Sequence, residues 1–170
     1  MKHVVISALA LALVSGCGAP REPGPDSRLP TVDDLLEADR AFGRATAERR
    51  LEGWMSFFED DSARLLPGQV VRGLGEIRAL DAELFDDPTL SLEWEPLDGG
   101  LFRDLDHGFT TGRYEVVRAE AGGSSPEPEG VSRGTYVTIW RRGGDGWEGI
   151  LGTGSPDPPA PGGGAPSRAG

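Results

Sequence analysis

The feature that most constrains this 170-residue chain is a change of hydrophobic period at Asp86-Asp87-Pro88. Before it, apolar residues recur at helical spacing: Val32, Leu35, Leu36, Phe42 and Ala45 in "TVDDLLEADRAFGRATAERR". Thr31 and Asp34 stand there as N-cap and capping-box partner. A short helix is predicted over "LEGWMSFFEDD", with Leu51, Trp54, Met55 and Phe58 on one side. A brief strand "SARLLPG" follows, then a third helix "LGEIRALDAELF" with Leu74, Ile77, Leu80 and Leu84 as its stripe. After Pro88 the period becomes two. "TLSLEWEPL", "GFTTGRYEVVRAE", "SRGTYVTIWRR" and "WEGILGTG" read as four strands, the last two joined by a hairpin at Gly143-Gly144-Asp145-Gly146. The glycine-rich "AGGSSPEPEG" joins the second and third. Helices followed by an antiparallel meander give an α+β architecture, with three N-terminal helices packed on one face of the sheet.

The ends of the chain carry no such pattern. Met1-Lys2-His3, the uncharged run "VVISALALALV" and the small pair Ser15-Gly16 have the form of a secretory signal. The apolar run is shorter than the ~20 residues that span a bilayer. The one cysteine, Cys17, comes directly after the small pair, as in a bacterial lipobox. Residues 1–16 therefore read as a lipoprotein signal peptide and Cys17 as the acylated first residue of the mature chain. An ordinary signal cut nearby is the plainer alternative. Gly18, rather than aspartate, at the next position implies the periplasmic face of the outer membrane in a Gram-negative host. Residues 17–30 read as a flexible tether, 31–155 as the folded domain, and 156–170, rich in proline and glycine, as a disordered tail.

A formal charge of −11 excludes nucleic acid as an expected partner, since phosphate binding needs clustered Lys and Arg. With Cys17 assigned to the lipid, no thiol remains for a disulfide or a nucleophile. His107 is the only histidine beyond the signal, and with Asp104 and Asp106 makes a poor zinc ligand set. No metal and no cofactor are expected.

The segments "LLEADRAFGRA", "LEGWMSFFEDDSARLLPG", "VVRGLGEIRAL", "LSLEWEP", "GFTTGRYEV" and "RGTYVTIWRR", with the closing "W…GTGSPDPP", come in an order that resembles the nuclear-transport-factor-2-like superfamily. Its branch called domain of unknown function 4440 is the nearest likeness, beside the SnoaL-like cyclases and ketosteroid isomerases. The resemblance implies a cystatin-like α+β roll: a strongly curved sheet wrapped on the helices around a cone-shaped apolar pocket. It also implies a homodimer through the sheet, common there but not universal. Carried across, the isomerase's carboxylate base falls near Leu66 and its first-helix tyrosine near Phe42. Neither residue can move a proton.

Asp39 is the candidate for catalysis. It lies one turn after Leu35 and Leu36 and one turn before Phe42, so the helix turns it toward the apolar face. There it needs a partner or a raised pKa, and Arg113, Arg133 and Tyr114 are the partners in view. It reads either as a general acid or base at the pocket wall or as a helix-to-sheet ion pair. Trp54, Phe58, Trp94, Tyr114, Tyr136 and Trp140 are the candidate ligand-binding aromatics. Tyr136, Thr138 and Trp140 share one strand face and Val137 and Ile139 the other, and the pattern leaves open which faces inward. Three functions follow: an envelope-anchored domain binding a small apolar or aromatic molecule, a SnoaL-like or isomerase-like enzyme using Asp39, or an interaction module using its sheet face.

Overall fold

The computed structural model describes residues 28–119, 129–144 and 146–158. The signal segment, Cys17, residues 121–128 of the glycine-rich loop, Asp145 and the chain beyond 158 lie outside them. Helix α1 (Val32–Arg49) begins on the capping box that the sequence announces. The Thr31 hydroxyl accepts from Asp34 N–H, and the Asp34 carboxylate accepts from Thr31 N–H at 2.8 Å. Its buried residues, Leu35, Asp39, Phe42 and Thr46, form one column at spacings of three and four.

The second helix, α2 (Leu51–Met55), is shorter than its sequence suggests. Phe58 does not belong to it; that residue opens strand β1 (Phe58–Leu66). Arg50, between the helices, has φ 53°, where a non-glycine residue is strained. Its guanidinium donates to the carbonyls of Phe85, Asp87 and Leu90, at 2.6 to 3.2 Å, and so ties the end of the third helix to the sheet. A further strand, β2 (Gln69–Arg72), is absent from the sequence reading. Pro67-Gly68, with Gly68 at φ +80°, turns it back onto β1. Helix α3 (Leu74–Asp86) buries Ile77 and Phe85, a stripe shifted slightly from the expected one.

The long strands are β3 (Leu90–Leu101), β4 (His107–Arg118), β5 (Glu129–Arg142) and β6 (Trp147–Pro156). They pair in the expected meander, but the sheet has six strands, in the order β2-β1-β6-β5-β4-β3. The β1–β6 pair is parallel, and the other four pairings are antiparallel. The sheet is curved and unclosed. The register shifts leave extra residues on β1, β3, β5 and β6, places where such a sheet bends.

Phe42 is the centre of the core. Its ring lies 4.8 Å from those of Trp54 and Trp94, 5.0 Å from Phe57, 5.8 Å from Phe58 and 6.0 Å from Trp140. A column of α1 thus reaches aromatics from α2, β1, β3 and β5. Offset and edge-on pairs of this kind hold the layers in a fixed geometry.

Candidate functional site

A cavity of about 300 Å³ opens between the helices and the sheet. Phe42 and Trp54 supply its helical wall, Leu66 the β1 wall, and Trp94, Tyr114 and Tyr136 the strand wall. Four of the six aromatics singled out from sequence therefore meet there. Phe58 and Trp140 do not; both are packed into the core behind the wall. Trp140 donates Nε1–H to Thr110 Oγ1 at 2.8 Å, so its polar atom is satisfied inside the core. The open question about β5 is resolved: Tyr136 and Thr138 line the cavity, so the even-numbered face is inward. Both Leu66 and Phe42, where an isomerase would hold its base and tyrosine, contribute apolar surface to the cavity.

Asp39 is wholly buried, with no exposed surface, and is not a lining residue. Trp94 Nε1–H donates to its Oδ1 at 2.7 Å, and Tyr136 O–H donates to its Oδ2 at 2.7 Å. Thr110, on the next strand face, adds a third donor. These replace the arginines expected from sequence: Arg113 pairs with Asp157 and Arg133 with Glu115. Burial pushes the Asp39 carboxyl above its ordinary pKa, and the three donors oppose that rise. Burial, together with the Asp39 charge, pushes the Tyr136 phenol far above its usual range. Tyr136 is therefore a fixed donor. Its ring and that of Trp94 face the cavity while their polar atoms are held from behind by one carboxylate.

A second acid-centred cluster escaped the sequence reading. Asp81, on α3, accepts from Trp54 Nε1–H at 2.7 Å and from Arg64 Nη1 at 3.0 Å, through the same oxygen. Arg64, on β1, lies over the Trp54 ring with its guanidinium carbon 4.9 Å from the centroid. The side chains of Arg64 and Asp81 are 18% and 12% exposed, so this is an inside pair rather than a surface one. Burial raises the Asp81 pKa, and the Arg64 charge opposes it. The Arg64 Nε–H is buried without a hydrogen-bond partner among the described residues, a deficiency that costs about 1–3 kcal/mol. A signal existed in the sequence. Ile77, Asp81 and Phe85 stand four apart on α3, the same intrusion of a carboxylate into an apolar column that singled out Asp39.

His107 begins β4 and its Nδ1 lies 2.8 Å from Asp104 Oδ2. Among the described residues no group of three or more His, Cys, Asp or Glu is placed to hold a metal.

By sequence, no family model and no curated protein matches this chain. Its backbone does match solved structures. A Streptomyces coelicolor protein, ActVI-ORFA, superposes with a TM-score of 0.61 at 15% identity over 74% of this chain and 96% of that one. A ketosteroid isomerase-like protein from Erwinia carotovora gives 0.58 at 16%, over 75% and 97%. An NTF2-like protein with a cystatin-like fold from Novosphingobium aromaticivorans gives 0.57 at 16%, over 72% and 79%. The chain has the cystatin-like, NTF2-like α+β fold.

Proposed function

We propose that this protein is a binding domain that holds a small apolar or aromatic molecule, tethered to the cell envelope through an acylated Cys17. The observation that carries the binding half is the cavity itself: about 300 Å³, walled largely by aromatic and aliphatic side chains, with a few fixed polar groups. That is the make-up of a small-molecule site. The state of Asp39 favours binding over acid–base chemistry. A general acid or base must reach the atom it protonates, and Asp39 is enclosed behind Trp94 and Tyr136 with its oxygens engaged. The aspartate acts on a guest only through the two rings it positions. Leu66 and Phe42 supply no alternative proton carrier.

Native mass spectrometry of the protein purified from its own host tests the reading. A co-purifying small molecule, released on unfolding, is the expected result. Consistently empty protein that also fails to take up aromatic probes overturns it. The anchor rests on the sequence alone and has a separate test. Cys17→Ser is expected to move the protein from the membrane fraction to the soluble periplasm, and unchanged membrane partition defeats the lipid assignment.

A further inference from the structure

Among the described residues that line the cavity, Arg64 is the only charged one. It is held in place on three sides. Its guanidinium rests on Trp54, Nη1 is bonded to Asp81, and its stem lies against Gly152, where an added Cβ would sit 3.5 Å from Arg64 Cδ. Its Nε is buried against the Gly152 backbone, out of reach of a guest, whereas Nη2 is not enclosed and has no hydrogen-bond partner among the described residues. A guanidinium has donors and no acceptor, so whatever completes it must bring lone pairs. We infer that Arg64 receives the carboxylate of the guest, and that the cavity takes an aromatic or alicyclic monocarboxylic acid with its ring among Trp54, Trp94 and Tyr136.

Charge and size decide among acceptors. A charge-assisted hydrogen bond in a water-poor wall is roughly twice as strong as a neutral one, which favours carboxylate over ester or ketone. One guanidinium, already half-neutralised by Asp81 in a chain of net charge −11, does not suit a phosphate or a dicarboxylate. The largely apolar remainder of the wall favours a guest whose other atoms are mostly hydrocarbon. Asp81 has a double part in this site: it holds Arg64 and Trp54 in position and competes with the guest for the same cation.

This inference rests on the binding reading, and its test separates the two. Calorimetric titration of the purified full chain at pH 7 uses benzoate, 2-naphthoate and the methyl ester of each. At least one acid is expected to bind ten or more times as tightly as its ester. Arg64→Met is expected to abolish that preference while ester affinity stays within threefold. Asp81→Asn keeps an acceptor for Trp54 and removes the competing charge, so acid affinity should rise about fivefold or more with the ester unmoved. An ester that binds as well as its acid in the wild type overturns the carboxylate assignment and leaves the apolar-guest proposal standing. Failure of every acid and ester to bind overturns both. An acid affinity unchanged by Asp81→Asn overturns the competing role of Asp81. If Arg64→Met does not give a cooperative melt, Arg64→Lys replaces it. Lysine keeps the charge without the planar stack on Trp54, and most of the acid preference should still be lost.

Discussion

At the scale of single residues, the most informative cluster is the Asp39 carboxylate with the two ring donors it restrains. An aspartate in an apolar helix column is costly unless both its oxygens are hydrogen-bonded, and here Trp94, Tyr136 and Thr110 donate to them. Asp39→Leu should therefore destabilise the fold by about 3–5 kcal/mol, because it orphans three buried donors at once. Asp39→Asn, which still offers a carbonyl oxygen, should cost much less. The charge leaves a separate trace. The Asp39 pKa is raised on folding above the ordinary 3.8, so the folded chain holds its proton more tightly than the unfolded one. Stability from this group is then full below the ordinary value. It falls as pH rises from there through the raised value, and is constant above that. Urea denaturation of wild type and Asp39→Asn between pH 4 and 7 should show the wild type losing the more stability as pH rises. Parallel profiles would mean that Asp39 does not titrate as its surroundings require.

Between elements, close approach depends on the absence of a side chain at defined points. At Gly53 in α2, an added Cβ would lie 1.8 Å from the Ala45 carbonyl oxygen of α1. Backbone cannot yield there without parting the two helices, and their separation sets the distance from Phe42 to Trp54. Gly53→Ala should cost about 3 kcal/mol or more, read from the urea midpoint. Gly75, near the start of α3, has open space around its Cβ position. Gly75→Ala should be neutral or stabilise by about 0.5–1 kcal/mol through the unfolded chain and helix propensity. The contrast tests the packing claim, because both substitutions add the same methyl group to a helix. Arg50 serves the same junction from the other direction, accepting a strained φ while its guanidinium collects three carbonyls, of Phe85 and Asp87 at the end of α3 and of Leu90 at the start of β3.

For the molecule as a whole, the cavity belongs to no single element. Every helix and every strand except β2 contributes to its lining. It can therefore be filled without dismantling the core. Leu84→Trp, from the α3 side, should place an indole in the space and abolish uptake of the aromatic probes, with stability changing by about 1 kcal/mol or less. Calorimetry and a urea titration on the same variant separate loss of space from loss of fold. Undiminished uptake would place the guest elsewhere.

The local part of this architecture was written in the chain. Period and capping mark α1, the Pro88 boundary and the four long strands, because side-chain alternation is imposed by backbone geometry one residue at a time. The same arithmetic turned Asp39 inward, but of the six aromatics named from sequence only Trp54, Trp94, Tyr114 and Tyr136 line the cavity, while Phe58 and Trp140 pack in the core. What tertiary structure alone decided is pairing across distance. The parallel seam between β1 and β6, the added strand β2, the donors that meet Asp39, and the union of Arg64 with Asp81 all join residues whose own neighbours carry no record of the partner. Periodicity fixes which side of an element is apolar. Register and curvature fix which of those sides meet, and whether a hollow is left where they do.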